Sequence, residues 1–81
     1  MKYQPTKIKD VCSYDLFNRI KNHALGDIHR LNAGSADCYA FNIDADGKDW
    51  QGGWDWSSNL VDTEADYILM LDTHKILKVI N

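Results

Sequence analysis

Three stretches of the chain carry side chains able to bind or to do chemistry. In Asn42-Ile43-Asp44-Ala45-Asp46-Gly47-Lys48-Asp49, oxygen-bearing side chains fall at alternate positions ahead of a glycine, the pattern with which a calcium loop wraps its ion. The position where such a loop closes its shell with a bidentate Glu is Gly53, so the run reads more simply as a hairpin turn that uses Asp and Gly for their backbone tolerance. Next comes Trp50-Gln51-Gly52-Gly53-Trp54-Asp55-Trp56, an indole-rich loop around two glycines read as flexible. Tryptophan buries a large rigid area and keeps one donor. Exposed, these indoles would stack on a sugar, a base or a partner's apolar pocket; in the alternative, two of the three cap the sheet's end and only one is exposed. The third feature is the acids, eleven Asp and one Glu, whose dominant short side chain fixes a carboxylate with little loss of rotamer freedom.

Other chemistry finds little support. His23, His29 and His74 with Cys12 and Cys38 show no ligand spacing of the helical or knuckle kind. No local Ser, His and Asp arrangement and no Gly-rich loop leading into a helix is present. No cofactor is expected, and a binding role is easier to argue than an enzymatic one.

The net charge of −3 understates the electrostatics, because the charges are sorted along the chain. Residues 1–30 hold Lys2, Lys7, Lys9, Arg19, Lys21 and Arg30 against Asp10, Asp15 and Asp27. Residues 31–74 hold Lys48 alone against Asp37, Asp44, Asp46, Asp49, Asp55, Asp62, Glu64, Asp66 and Asp72. Such a segment repels phosphate, which argues against direct nucleic-acid binding, and it steers the chain towards a basic partner.

The chain is expected to form a single domain over residues 1–81, with 44% hydrophobic residues giving an ordinary core. The longest apolar run, Tyr67 to Leu71, is far short of the roughly 20 residues of a spanning helix, so no membrane is expected as partner. No secretory signal pattern opens the chain, and two cysteines in no C-x-x-C pair are read as reduced, mostly buried thiols; the expected compartment is cytoplasmic.

The elements that must position these residues form an α+β domain: an N-terminal amphipathic helix packed on a sheet of about four strands, mostly antiparallel. Ser13 is the N-cap candidate, Asp15 suits the first turn, Leu16, Phe17, Ile20 and Ala24 recur at helical spacing, and Gly26 supplies the stop. A short helical turn carrying Ile8 and Val11 precedes it. Tyr39, Phe41 and Ile43 alternate on a strand that turns through Asp44–Lys48 and returns through Trp50. A second hairpin joins residues 67–71, apolar on both faces as a central strand should be, to residues 76–80.

This running order resembles a minimal PD-(D/E)XK nuclease domain: a helix with Leu16-Phe17-Asn18-Arg19-Ile20, then Gly26, Ala36-Asp37 opening a strand, a hairpin, Asp49-Trp50-Gln51, and Ala65-Asp66-Tyr67-Ile68-Leu69. The resemblance implies Asp37 and Asp49 as ligands of a divalent metal that activates water for phosphodiester hydrolysis. Gln51 stands where the family has its lysine. In size and charge the chain is also similar, at the level of class, to nuclease immunity proteins and phage anti-defence inhibitors, including anti-CRISPR proteins and DNA mimics. The leading expectation is an inhibitor whose acidic face, Asp44 to Asp66, forms one patch that docks on the basic surface of a nucleic-acid-handling protein. Asp44, Asp46, Asp49, Asp55 and Asp62 would be its charge partners, Trp50, Trp54 and Trp56 its indoles, with Trp54 or Trp56 as anchor. The alternatives are the metal-dependent nuclease centred on Asp37 and Asp49, and a sugar or nucleotide binder using the tryptophan loop.

Overall fold

Ser13 opens α1, residues Tyr14–Gly26, in the way its side chain allows: the Oγ accepts the Leu16 amide at 3.2 Å and so satisfies one of the donors left over at a helix start. A computed structural model describes residues 2–26 and 36–80, apart from the side chains of 2, 61 and 62. Along α1 the spacing of Leu16, Phe17, Ile20 and Ala24 puts all four on one buried face, while Asn18, Arg19 and Asn22 stay exposed. Burying each of the three large ones is worth about 1.5–3 kcal/mol, and it is this face that holds the helix to the sheet. The preceding helical turn is a 3-10 segment at Ile8–Asp10, which packs Ile8 and Val11 against the same cluster.

The sheet has five strands where about four were expected: β1 Lys2–Thr6, β2 Cys38–Ile43, β3 Trp50–Asp55, β4 Tyr67–Met70 and β5 Ile76–Ile80. Their order is β1-β5-β4-β2-β3, with every neighbouring pair antiparallel. The strand missed in the sequence is β1, because Pro5 argues against a strand anywhere except an edge, which is where β1 lies. β4 takes the centre, and its both-sided apolarity is used on both sides.

Side-chain alternation divides the core in two. Tyr39, Phe41, Leu69 and Ile76 face the helix and join Leu16, Phe17, Ile20 and Ala24. On the opposite face Cys38 and Ile68 are buried under Leu60, which comes from a 3-10 segment, Ser57–Asp62, absent from the sequence reading. That segment must cross the sheet because β3 ends beside the start of β2, whereas β4 begins at the other end of β2. Both thiols are free, Cys38 buried and Cys12 half-buried.

Candidate functional site

The β2–β3 hairpin carries most of the residues singled out above. Its turn is closed by the Asp44 amide donating to the Asp49 carbonyl at 2.9 Å, and Gly47 supplies the φ of 72° that lets the chain reverse. The carboxylates build this turn: Asp46 Oδ1 accepts the Lys48 amide and Asp49 Oδ1 accepts the Trp50 amide, both at 2.9 Å. The calcium-like pattern is therefore a hairpin turn in the fold. Arg19 reaches across from α1, with Nη1 donating to the Lys48 carbonyl at 3.3 Å, Nη2 4.0 Å from Asp49 Oδ1, and its guanidinium 5.3 Å from the Trp50 ring centre. Both side chains of that ion pair are about 60% exposed, so the pair adds at most a few tenths of a kcal/mol in salt.

The returning strand expected through Trp50 continues to Asp55, so the stretch around the two glycines, read as a loop, is strand. Gly52 lies against the Tyr39 and Phe41 side chains and the Ala40 carbonyl so closely that a Cβ could not be added without a shift, whereas Gly53 faces open space. Two of the three indoles belong to the helix–sheet seam. Trp54 Nε1 donates to the Ala24 carbonyl at 2.9 Å, satisfying one of the acceptors left over at the end of α1, and Trp50 Nε1 donates to the Tyr39 hydroxyl at 3.0 Å. His23 sits among Tyr39, Trp50 and Trp54 with ring centres 5.2–5.9 Å away, a packing role absent from the sequence reading. Trp56 alone of the three is exposed, at 48%.

At the other end of β3 the acids again do structural duty. Asp37 accepts the Ser57 amide at 2.6 Å and the Ser57 hydroxyl at 2.7 Å, and Asp55 accepts the Trp56 amide and the Asn59 side chain. The Ser57 hydroxyl in particular holds the Asp37 carboxyl below its usual range. Burial, with Asp37 and Asp55 nearby, pushes the Cys38 thiol up to about 12, and its Sγ donates to the Asp55 carbonyl.

The expected single patch from Asp44 to Asp66 is corrected by this geometry. Asp44, Asp46, Asp49 and Asp66 stand at the turn end of the hairpin and Asp37 and Asp55 at the far end, separated by the uncharged strand Trp50–Trp54. Six residues of strand span about 20 Å, beyond the roughly 8 Å over which charges act on one another at physiological salt. Asp62 lies outside the described residues as far as its side chain is concerned. The same distance separates Asp37 from Asp49, too far for one ion, and among the described residues no three His, Cys, Asp or Glu gather as a metal site. His74 is in the β4–β5 turn and His29 lies outside the described residues.

What the fold does preserve is the sorting of charge, now across the sheet. The β2–β3 side carries Asp37, Asp44, Asp46, Asp49 and Asp55 with Lys48 and with Arg19 reaching in from α1. At the β1–β5 side, a cleft of about 630 Å³ is lined by Lys7, Lys9, His74 and Lys75 over Ile8 and Leu77. A shallower groove of about 370 Å³ runs along β3 on the face away from the helix, floored by Ala40, Asn42, Gln51 and Gly53 and walled by Thr63–Ala65. No helix among the described residues is long and apolar enough to cross a membrane. No protein-family model matches the chain, and no curated protein or solved structure matches it.

Proposed function

We propose that the chain is a protein-binding module that occupies a basic surface of a nucleic-acid-handling protein and inhibits it by competing with the phosphates that surface normally receives. The observation that carries this reading is the lateral separation of charge: both ends of the β2–β3 hairpin present carboxylates, outnumbering Lys48 and Arg19 there, while Lys7, Lys9, Lys75 and Lys78 stand around β1 and β5 with Asp10. A field of that shape orients the molecule with β3 towards a cationic partner and raises the rate of productive encounter. Trp56, exposed beside Asp55, adds a rigid apolar contact next to the charge. Trp50 and Trp54 frame the surface from within, since their indole donors are committed to Tyr39 and Ala24.

The test is competition. The chain is immobilised, challenged with a panel of purified basic nucleic-acid-binding proteins, and the bound fraction is exposed to duplex DNA or to raised salt. Displacement by DNA, and loss of binding in the triple variant Asp44→Asn, Asp49→Asn, Asp55→Asn, is the expected result. Binding that survives both DNA and neutralisation of these carboxylates removes the basis for the proposal.

A further inference from the structure

The two edges of the sheet are not alike. Along β2–β3 the Asp44–Asp49 bond sets the alternation, so Asn42, Ala40 and Cys38 exchange bonds with Gln51, Gly53 and Asp55. The backbone groups of Trp50, Gly52 and Trp54 then point away from the sheet. The Met70–Lys75 and Val79–Asp66 bonds set the alternation on the other side: Thr6, Gln4 and Lys2 pair with β5, and Tyr3 and Pro5 point outward. Pro5 has no amide hydrogen to offer there, so β1 is blunted as natural edges commonly are. β3 has no proline: Asp49 and Asp55 cap the Trp50 and Trp56 amides at its two ends, and Gly52 and Trp54 lie between them. Its outward Trp50 amide is taken by Asp49 Oδ1, and among the described residues the Gly52 and Trp54 amides have no partner and no strand lies beyond β3.

Resting on the binding role proposed above, we propose that the β3 edge is where the partner binds, by adding an extended segment as a sixth, antiparallel strand with basic residues six positions apart. The charge pattern selects this occupant. Asp49 immediately precedes β3 and Asp55 ends it, both with the side-chain parity of Gln51 and Gly53, and Asp49 keeps its bond to the Trp50 amide with Arg19 Nη2 4.0 Å away. A strand laid antiparallel along the edge places residue i opposite Asp55 and residue i+6 opposite Asp49, both facing the same way. Residues i+2 and i+4 then lie over Gly53 and Gln51, where the groove walled by Thr63–Ala65 has room for small side chains. Residues i+1 and i+3 exchange backbone bonds with Trp54 and Gly52, residue i+5 only donates to the Trp50 carbonyl because Asp49 Oδ1 holds the Trp50 amide, and all three turn their side chains towards the helix side. A second copy of the chain fits poorly: β3 paired with itself about Gly52 sets Asp49 against Asp55 at both ends, and like charges directly opposite are destabilising.

Amide exchange on the full chain tests this directly. The free chain is expected to exchange the Gly52 and Trp54 amides quickly and those of Gln51 and Gly53 slowly. The probe is the peptide Lys-Val-Thr-Val-Thr-Val-Lys, compared with a version carrying Glu for both Lys and one N-methylated at its central valine. The lysine peptide should slow exchange at Gly52 and Trp54 by about tenfold or more, and neither comparison peptide should. If the lysine peptide binds but shifts only the Asp44–Asp49 turn or Trp56, strand addition is wrong while the binding role stands. If it leaves the edge amides unprotected and the competition experiment with basic proteins also fails, both are wrong. Edge amides already protected in the free chain would overturn the inference too, and protection that vanishes on dilution would assign the edge to self-association.

Discussion

The same small substitution at two adjacent glycines of β3 should give opposite results. A Cβ at Gly52 would stand 2.6 Å from the Ala40 carbonyl oxygen, 2.8 Å from Phe41 Cβ and 2.9 Å from a ring carbon of Tyr39. Ordinary contact is about 3.5–4.0 Å, so the added atom must be relieved by close to an ångström of movement. The atoms in its way are a backbone oxygen and two fully buried aromatic residues, none of which can swing aside. Overpacking of this kind costs about 1–3 kcal/mol, against which the stiffer unfolded chain of an alanine variant returns about 0.4–1 kcal/mol. Gly52→Ala should therefore destabilise by about 1–2 kcal/mol. At Gly53 a Cβ meets nothing within 4 Å, so Gly53→Ala should be neutral or stabilising by up to about 1 kcal/mol. Urea unfolding followed by indole fluorescence measures both. With a slope near 1 kcal/mol/M for so small a chain, the Gly52→Ala midpoint should fall by about 1–2 M. A Gly52→Ala midpoint within about 0.5 M of the parent, or equal losses at both glycines, would refute the packing argument and the strand register behind it.

Trp54→Phe removes the indole donor to the Ala24 carbonyl and should lower stability by about 1–2 kcal/mol, while Trp56→Phe, at an exposed position, should stay within about 0.5 kcal/mol; thermal unfolding by circular dichroism compares them. Asp37 has a folded pKa below its ordinary 3.8, so its contribution is complete above that value and is lost as pH falls towards the folded pKa. Acid unfolding should thus be shallower in Ser57→Ala, which removes the main cause of the depression, and an unchanged acid profile would contradict that assignment. Cys38, with its thiol pushed up to about 12 and no exposed surface, should resist iodoacetamide in the native chain at mildly alkaline pH and react once urea unfolds it, as mass spectrometry would show.

Helix α1 was legible because each of its signals is local: the Ser13 cap, the spacing of Leu16, Phe17, Ile20 and Ala24, and the Gly26 stop all act within a few residues. The two hairpins were legible for the same reason, through the alternation of Tyr39, Phe41 and Ile43 and the Asp-Gly turn. β1 was not, because its partner β5 lies at the opposite end of the chain and Pro5 masks the strand pattern. The glycine pair misled in a similar way. Gly52 looks like a hinge in one dimension and proves to be the place where Tyr39 and Phe41 leave no room for a side chain. The 3-10 crossing at Ser57–Asp62 shows, among its described side chains, one deeply buried residue, Leu60, too little periodicity to be read as an element.

For the candidate site the division falls between charge count and charge position. The sequence alone determined that acids would collect in one part of the chain and lysines in another, since charge is a property of each residue. Only the tertiary structure decided that the acids stand in two groups at the ends of β3, that Trp50 and Trp54 turn inward while Trp56 does not, and that β3 is, among the described residues, the sheet edge opposite β1. These depend on which strands become neighbours: residues 67–71 show that their strand is covered on both faces, but no local stretch of sequence names the strands that pair with it.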